Sequence, residues 1–148
     1  MKVYHRTTKE NFEKIKKEGL KINQKNEITT DTGIFNLKIA YGMIPIFVAL
    51  NPNVFPITND NQIMLEIDFD FDMKYAADIG VLIDNGAILD EEGFYFNDSS
   101  DAYNEYNFTD DLYEYSETLY FDPYKDAFIE FTQTIAILED IPVEKIKF

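Results

Sequence analysis

Apolar and polar positions alternate most strictly over residues 62–71, where Ile63, Leu65, Ile67, Phe69 and Phe71 interleave with Gln62, Met64, Glu66, Asp68 and Asp70. A period of two predicts a strand with one core face and one acidic, wet face. A shorter alternation opens the chain. Val3, His5 and Thr7 fall on one side, Tyr4 and Arg6 on the other, which predicts a strand over 1–7. The period then changes: Phe12 and Ile15 share a helix face while Glu10, Glu13, Lys14, Lys16 and Lys17 stay wet. Thr7 with Glu10 fits a capping box for that helix, and Gly19 with Leu20 supplies its stop and hydrophobic follower. Residues 44–50 form a continuous apolar run closed by Asn51-Pro52-Asn53, a buried strand that tolerates Pro45 near its start. Residues 131–138 read as a further strand, and 140–146 as a turn into the last one.

The intervening stretches are less regular. Residues 21–33 are polar without a period and read as a loop, while 34–41 fits either a short helix or a strand. A short helix over 73–83, a turn at Asn85-Gly86, a strand over 93–97 and a helical turn from Pro123 follow. Between them, residues 98–126 hold nine acids, six tyrosines and one lysine. Tyrosines this dense can anchor an acidic segment onto the body, and 110–119 within it could be helical. No repeat or low-complexity linker divides the chain. The pattern predicts one α+β domain over 1–148, with about six strands and two to four short helices.

Composition narrows the chemistry. Apolar residues are 45% of the 148 and aromatics 16%, a globular balance. With no cysteine, disulfides and thiolate metal sites are excluded, and one histidine excludes a His-rich zinc site. Asp68, Asp70 and Asp72 have the spacing of a calcium loop, but the helix–loop–helix glycine and distal Glu are missing, so no metal site is expected. No apolar run approaches a membrane span, and a cytoplasmic protein without membrane contact is the expectation. The net charge of −15 is uneven: residues 1–50 carry nine basic and five acidic residues, residues 51–148 four and twenty-three. The acidic half should repel nucleic acid, and a nucleotide ligand would be drawn to the N-terminal side.

His5 stands at a strand end before a helix N-terminus, a place that favours anions, with Arg6, Thr7 and Thr8 beside it. Arg6 and Lys9 could meet a pyrophosphate. Tyr4-His5-Arg6-Thr7, followed by a polar helix ending in Glu18-Gly19-Leu20, resembles the opening motif of the ADP-ribosyltransferase fold. That group includes NAD-dependent ADP-ribosyltransferases, RNA 2′-phosphotransferases and DNA-targeting toxins. The resemblance covers about the first twenty residues and implies two packed mixed or antiparallel sheets, with the 1–7 strand central, beside 131–138, and the first helix over the seam. It implies NAD as the cofactor, with His5 on the adenosine ribose and Tyr41 or Phe47 at the nicotinamide, although Val48-Ala49 lack the hydroxyls often found there. A late-strand Glu would face the oxocarbenium-like centre formed as nicotinamide leaves. The position nearest to it holds Gln133 or Thr134, and Glu130 fits if the strand entry shifts by about one turn. Gln133 can hydrogen-bond a ribose hydroxyl but supplies no charge.

Two functions follow from this reading. One is an ADP-ribosyltransferase-like protein that binds NAD or a related nucleotide and transfers ADP-ribose to a macromolecule. The other is a non-enzymatic acidic inhibitor whose 98–126 segment mimics nucleic acid and blocks a partner with a basic surface. In the first, His5 should face a cleft with Arg6 or Thr7, Phe47 and Gln133; in the second, 98–126 should form a negative face away from it.

Overall fold

The computed structural model describes residues 1–24, 31–89, 94–97, 99 and 125–148. They group into two compact units, Met1–Tyr75 with Ile135–Phe148, and Ala76–Thr134. The fold is α+β.

The first unit is built on a six-stranded sheet of order β4-β7-β2-β1-β3-β8. These strands are β1 (Lys2–Thr8), β2 (Ile46–Ala49), β3 (Gln62–Asp68), β4 (Tyr75–Ala76), β7 (Thr134–Ile137) and β8 (Ile146–Lys147). Ala76 and Thr134, the end residues of the second unit, are also ends of β4 and β7. β1 and β3 pair antiparallel along their whole length, from Lys2 opposite Asp68 to Thr8 opposite Gln62. Directly opposed residues share a sheet face. Val3, His5 and Thr7 therefore lie with Ile67, Leu65 and Ile63, and of these Val3, Thr7, Leu65 and Ile67 are buried. This is the face that the alternation predicts. β3 ends at Asp68, though Phe69 continues the core and pairs with Met1 through both backbone hydrogen bonds. Phe71 leaves the core face expected for it because a turn at Asp70 redirects the chain.

The central strand is flanked by β2 and β3, so β2 separates β1 from β7. The expected direct pairing of 1–7 with 131–138 is corrected accordingly. β7 is also shorter than expected: Lys125–Thr132 is a helix, and the strand starts only at Thr134. Ile135, Ala136 and Ile137 are fully buried, as a strand covered on both faces requires.

Helix α1 (Lys9–Glu18) begins one residue later than the capping-box pattern suggests. Thr8 remains paired in β1, and its hydroxyl accepts the Asn11 N–H at 3.2 Å, so Thr8 is the N-cap. Gly19 closes α1 with its N–H on the Ile15 carbonyl, and Leu20 then bridges Ile141 through two backbone bonds of 2.9 and 2.8 Å. The ambiguous 34–41 stretch belongs to helix α2 (Asp31–Tyr41). Its last residue, Tyr41, is buried, while Phe35 and Ile39, four apart, are exposed.

The second unit contains helix α3 (Ile79–Asp84), the antiparallel hairpin β5 (Ala87–Leu89) with β6 (Phe94–Phe96), and helix α4 (Lys125–Thr132). The helix expected over 73–83 is thus α3 alone, preceded by a turn and β4. Among the described residues, strands β5 and β6 pair only with each other, apart from the six-stranded sheet. Asp78 caps α3, its carboxylate accepting the Val81 N–H at 3.2 Å. Gln133, at φ 58°, ends α4 in the left-handed region and returns its N–H to the Ile129 carbonyl. The helix considered for 110–119, and the acidic face of 98–126 apart from 99, 125 and 126, lie outside the described residues.

The units divide the charge sharply. Residues 1–75 and 135–148 carry twelve Lys or Arg against thirteen Asp or Glu, a balance of −1. Residues 76–134 carry one lysine against fifteen acids, a balance of −14.

Candidate functional site

The residues expected to bind a nucleotide all lie in the first unit. β1 and β2 are in register at Tyr4 and Ala49. One residue further along β1, the His5 ring reaches across to the neighbouring strand, its Nδ1 2.9 Å from the Phe47 carbonyl oxygen. A carbonyl only accepts, so Nδ1 carries the proton and Nε2 presents a lone pair. Removal from water pushes the His5 pKa down, the bond to Phe47 pulls it partly back up, and the Arg6 charge lowers it again. His5 is therefore a neutral ring with its tautomer fixed, half-buried, and offers an acceptor suited to a hydroxyl group.

Phe47 is half-buried in β2 and meets the edge of the Tyr41 ring at 6.1 Å between centroids and 72° between planes. The end of α2 is thereby fixed against the strand that fixes His5. Thr7 is buried on the His5 side of β1. Arg6 faces the other way, and its guanidinium donates to the Pro56 carbonyl at 2.7 Å. His5 and Thr7 share one face of β1, whereas the Tyr4–Ala49 register sets the Phe47 side chain opposite Arg6 on the other face, so Phe47 meets His5 only through its carbonyl. Arg6 is tied to the loop between β2 and β3. Strand alternation alone separates Arg6 from His5.

Glu130 and Gln133, the candidates for catalysis, belong to the second unit. Glu130 is exposed on α4, and the Gln133 side-chain amide donates to the Glu130 carbonyl at 2.7 Å, which commits it to closing the helix. Both sit at a helix end and not on the strand where the resemblance would put them.

Sequence reasoning missed Asp78. Its carboxyl is buried, accepts backbone N–H groups of Val81 and Gly80, and is hydrogen-bonded by the Thr134 hydroxyl. Thr132 Oγ1 lies 2.9 Å from Thr134 Oγ1, extending the chain of buried hydroxyls. Desolvation dominates and raises the Asp78 pKa against these hydrogen bonds, with Asp84 adding to the rise. An Asp just before an apolar helical stretch is a legible N-cap signal, though its burial is not. A raised folded-state pKa means that the native state holds its proton more tightly than the unfolded chain. Stability should therefore fall as pH rises from about the ordinary carboxyl value of 3.8 through the raised value, then level off. Asp78→Asn, which keeps the accepting oxygen, should remove that slope; urea melts between pH 3.5 and 8 measure it.

Among the described residues no His, Asp or Glu group is placed to hold a metal ion, and no helix is long and apolar enough to cross a membrane. No protein-family model matches the chain, nor does any curated protein or solved structure, so the geometry of the His5 site stands on its own.

Proposed function

We propose that the first unit is an ADP-ribosyltransferase-like module that binds NAD or a related nucleotide around His5. The observation that carries this reading is the His5 Nδ1–Phe47 carbonyl bond, which orients a neutral ring on the central strand with Nε2 free of the proton. A buried ring N–H needs an acceptor in any case; here the bond leaves Nε2 as the nitrogen a ligand would meet. Thr7 supplies a hydroxyl on the same strand face, whereas the Phe47 side chain lies on the Arg6 face and contributes only its carbonyl oxygen to His5. Arg6 keeps donors to spare beyond its bond to Pro56, but it faces away from His5 across β1.

Transfer of ADP-ribose to a macromolecule is the reaction such a module would serve. Glu130 is the only one of the two catalytic candidates with a charge to offer, and Gln133 would first have to release the helix end it closes. Incubation with labelled NAD tests transfer, and Glu130→Gln should abolish any incorporation if Glu130 supplies the carboxylate.

Binding is tested by thermal melts with NAD. A ligand specific for the folded state stabilises it by about 2.7 kcal/mol at a hundred times its dissociation constant. The wild type should show this rise and His5→Ala should not, with only a modest loss of its own stability because the ring is half-buried. No rise in the wild type, joined to a large drop for His5→Ala, would make His5 a purely architectural residue.

The charge partition favours a second reading. A balance of −14 within 76–134, against −1 in the sheet unit, suits an acidic segment that competes with nucleic acid for a basic partner. Binding of this kind would weaken steeply with salt and would survive His5→Ala.

A further inference from the structure

The turn after β3 presents an aromatic ring that the fold does not bury. Phe69 is 2% exposed, and Met1, directly opposite it, is 50% exposed. Beyond Phe69, the Asp70 carboxylate accepts the Asp72 N–H and the Asp70 carbonyl accepts the Met73 N–H, each at 2.9 Å. This double closure fixes the turn and holds Phe71 outward, 55% exposed. The ring is nonetheless held firmly. It packs edge-on against Phe69 at 5.2 Å and Tyr75 at 5.7 Å, and those two rings meet at 5.4 Å. An aromatic side chain packed against two rings, yet with more than half its surface in water, is the form of an interface anchor, because its packing leaves less rotamer entropy to lose on binding.

The surrounding charge selects the partner. The Asp68 side chain is 79% exposed and, among the described residues, pairs with the N-terminal ammonium alone, at 3.7 Å. Asp70 and Asp72, on either side of Phe71, are exposed. Among the described residues neither carboxylate has a cation within ion-pair reach.

We infer that this turn is a docking point for an arginine-bearing segment of a partner protein, with Phe71 as its anchor. A guanidinium stacks on an aromatic face and forks to carboxylates at the same time, which an ammonium cannot do. Met1 offers apolar contact for the aliphatic stem. Every residue involved belongs to the first unit, so the inference is independent of the nucleotide site and of the acidic 76–134 unit.

The test uses the full chain and a fluorescein-labelled Gly-Arg-Gly-Arg-Leu peptide, followed by anisotropy at physiological ionic strength. Phe71→Ala should weaken binding at least tenfold although the net charge is unchanged, and so should Phe71→Leu, which keeps bulk but removes the π face. Asp70→Asn combined with Asp72→Asn should do the same, and a lysine version of the peptide should bind more weakly to the wild type. Equal affinity for wild type and Phe71→Ala would assign binding to bulk acidity and overturn the inference. So would absence of binding by the arginine peptide.

Discussion

Replacing Gly19 by alanine is expected to lower the unfolding free energy by about 3 kcal/mol or more, a large loss for one methyl group. Gly19 sits at φ 76° and ψ −169°, a region that L-residues with a Cβ essentially do not enter. The added methyl would also overlap the carbonyl oxygen of Ile141. That oxygen belongs to the Leu20–Ile141 bridge, which ties the exit of α1 to the segment leading into β8. Backbone cannot step aside as a side chain can, so relief would have to come from opening the bridge. Urea denaturation measures the loss. A penalty below about 1 kcal/mol, the usual cost of an ordinary surface change, would mean that the α1 exit is held less tightly than this geometry requires.

The second large effect separates two neighbouring phenylalanines. Phe69→Ala removes a side chain that is 2% exposed and touches the Phe71 and Tyr75 rings. The cost is expected at about 3–5 kcal/mol, from lost transfer free energy and the cavity left behind. Phe71→Ala, two residues on, removes a ring that is 55% exposed, and should cost well under half as much. Melts of the two variants decide the matter. Comparable losses would show that Phe71 is part of the core and leave the turn without a ring to spare for a partner.

Much of the frame is legible in the residues. The β3 alternation follows directly from a sheet with one buried face, and Gly19 after Lys16-Lys17 marks the end of α1 because only glycine takes that turn. The α4–β7 boundary was not legible. The stretch from Phe131 to Leu138, with Thr132, Gln133 and Thr134 within it, carries no period that separates a last helical turn from a buried strand. The break falls at Gln133, a non-glycine residue in the left-handed region. The Thr8 cap was displaced from Thr7 because strand pairing with Gln62 extends β1 by one residue, and pairing is not written locally. Of the site, the placement of His5 on the opening strand was readable. The Phe47 carbonyl that fixes its tautomer, and the Pro56 carbonyl that takes Arg6, come from chain segments 42 and 50 residues away.

The His5 geometry also sets a pH dependence. A folded-state pKa below the ordinary 6.5 means that the unfolded chain binds the proton more readily. The stability gained from a neutral His5 is thus complete above about 6.5 and is lost as pH falls from there toward the lowered value. Affinity for a ligand that uses Nε2 as an acceptor should hold until pH falls through the lowered folded-state value and drop below it.

The most direct measurement exploits the fact that the chain has one histidine. A long-range nitrogen–proton NMR spectrum of the imidazole then contains one residue only, and it distinguishes the two neutral tautomers and the charged ring. At pH 7 the ring should be neutral and protonated on Nδ1, and addition of NAD should shift Nε2 with Nδ1 nearly unmoved. A ring protonated on Nε2, a charged ring at pH 7, or an Nε2 signal indifferent to millimolar NAD would contradict the proposed His5 site.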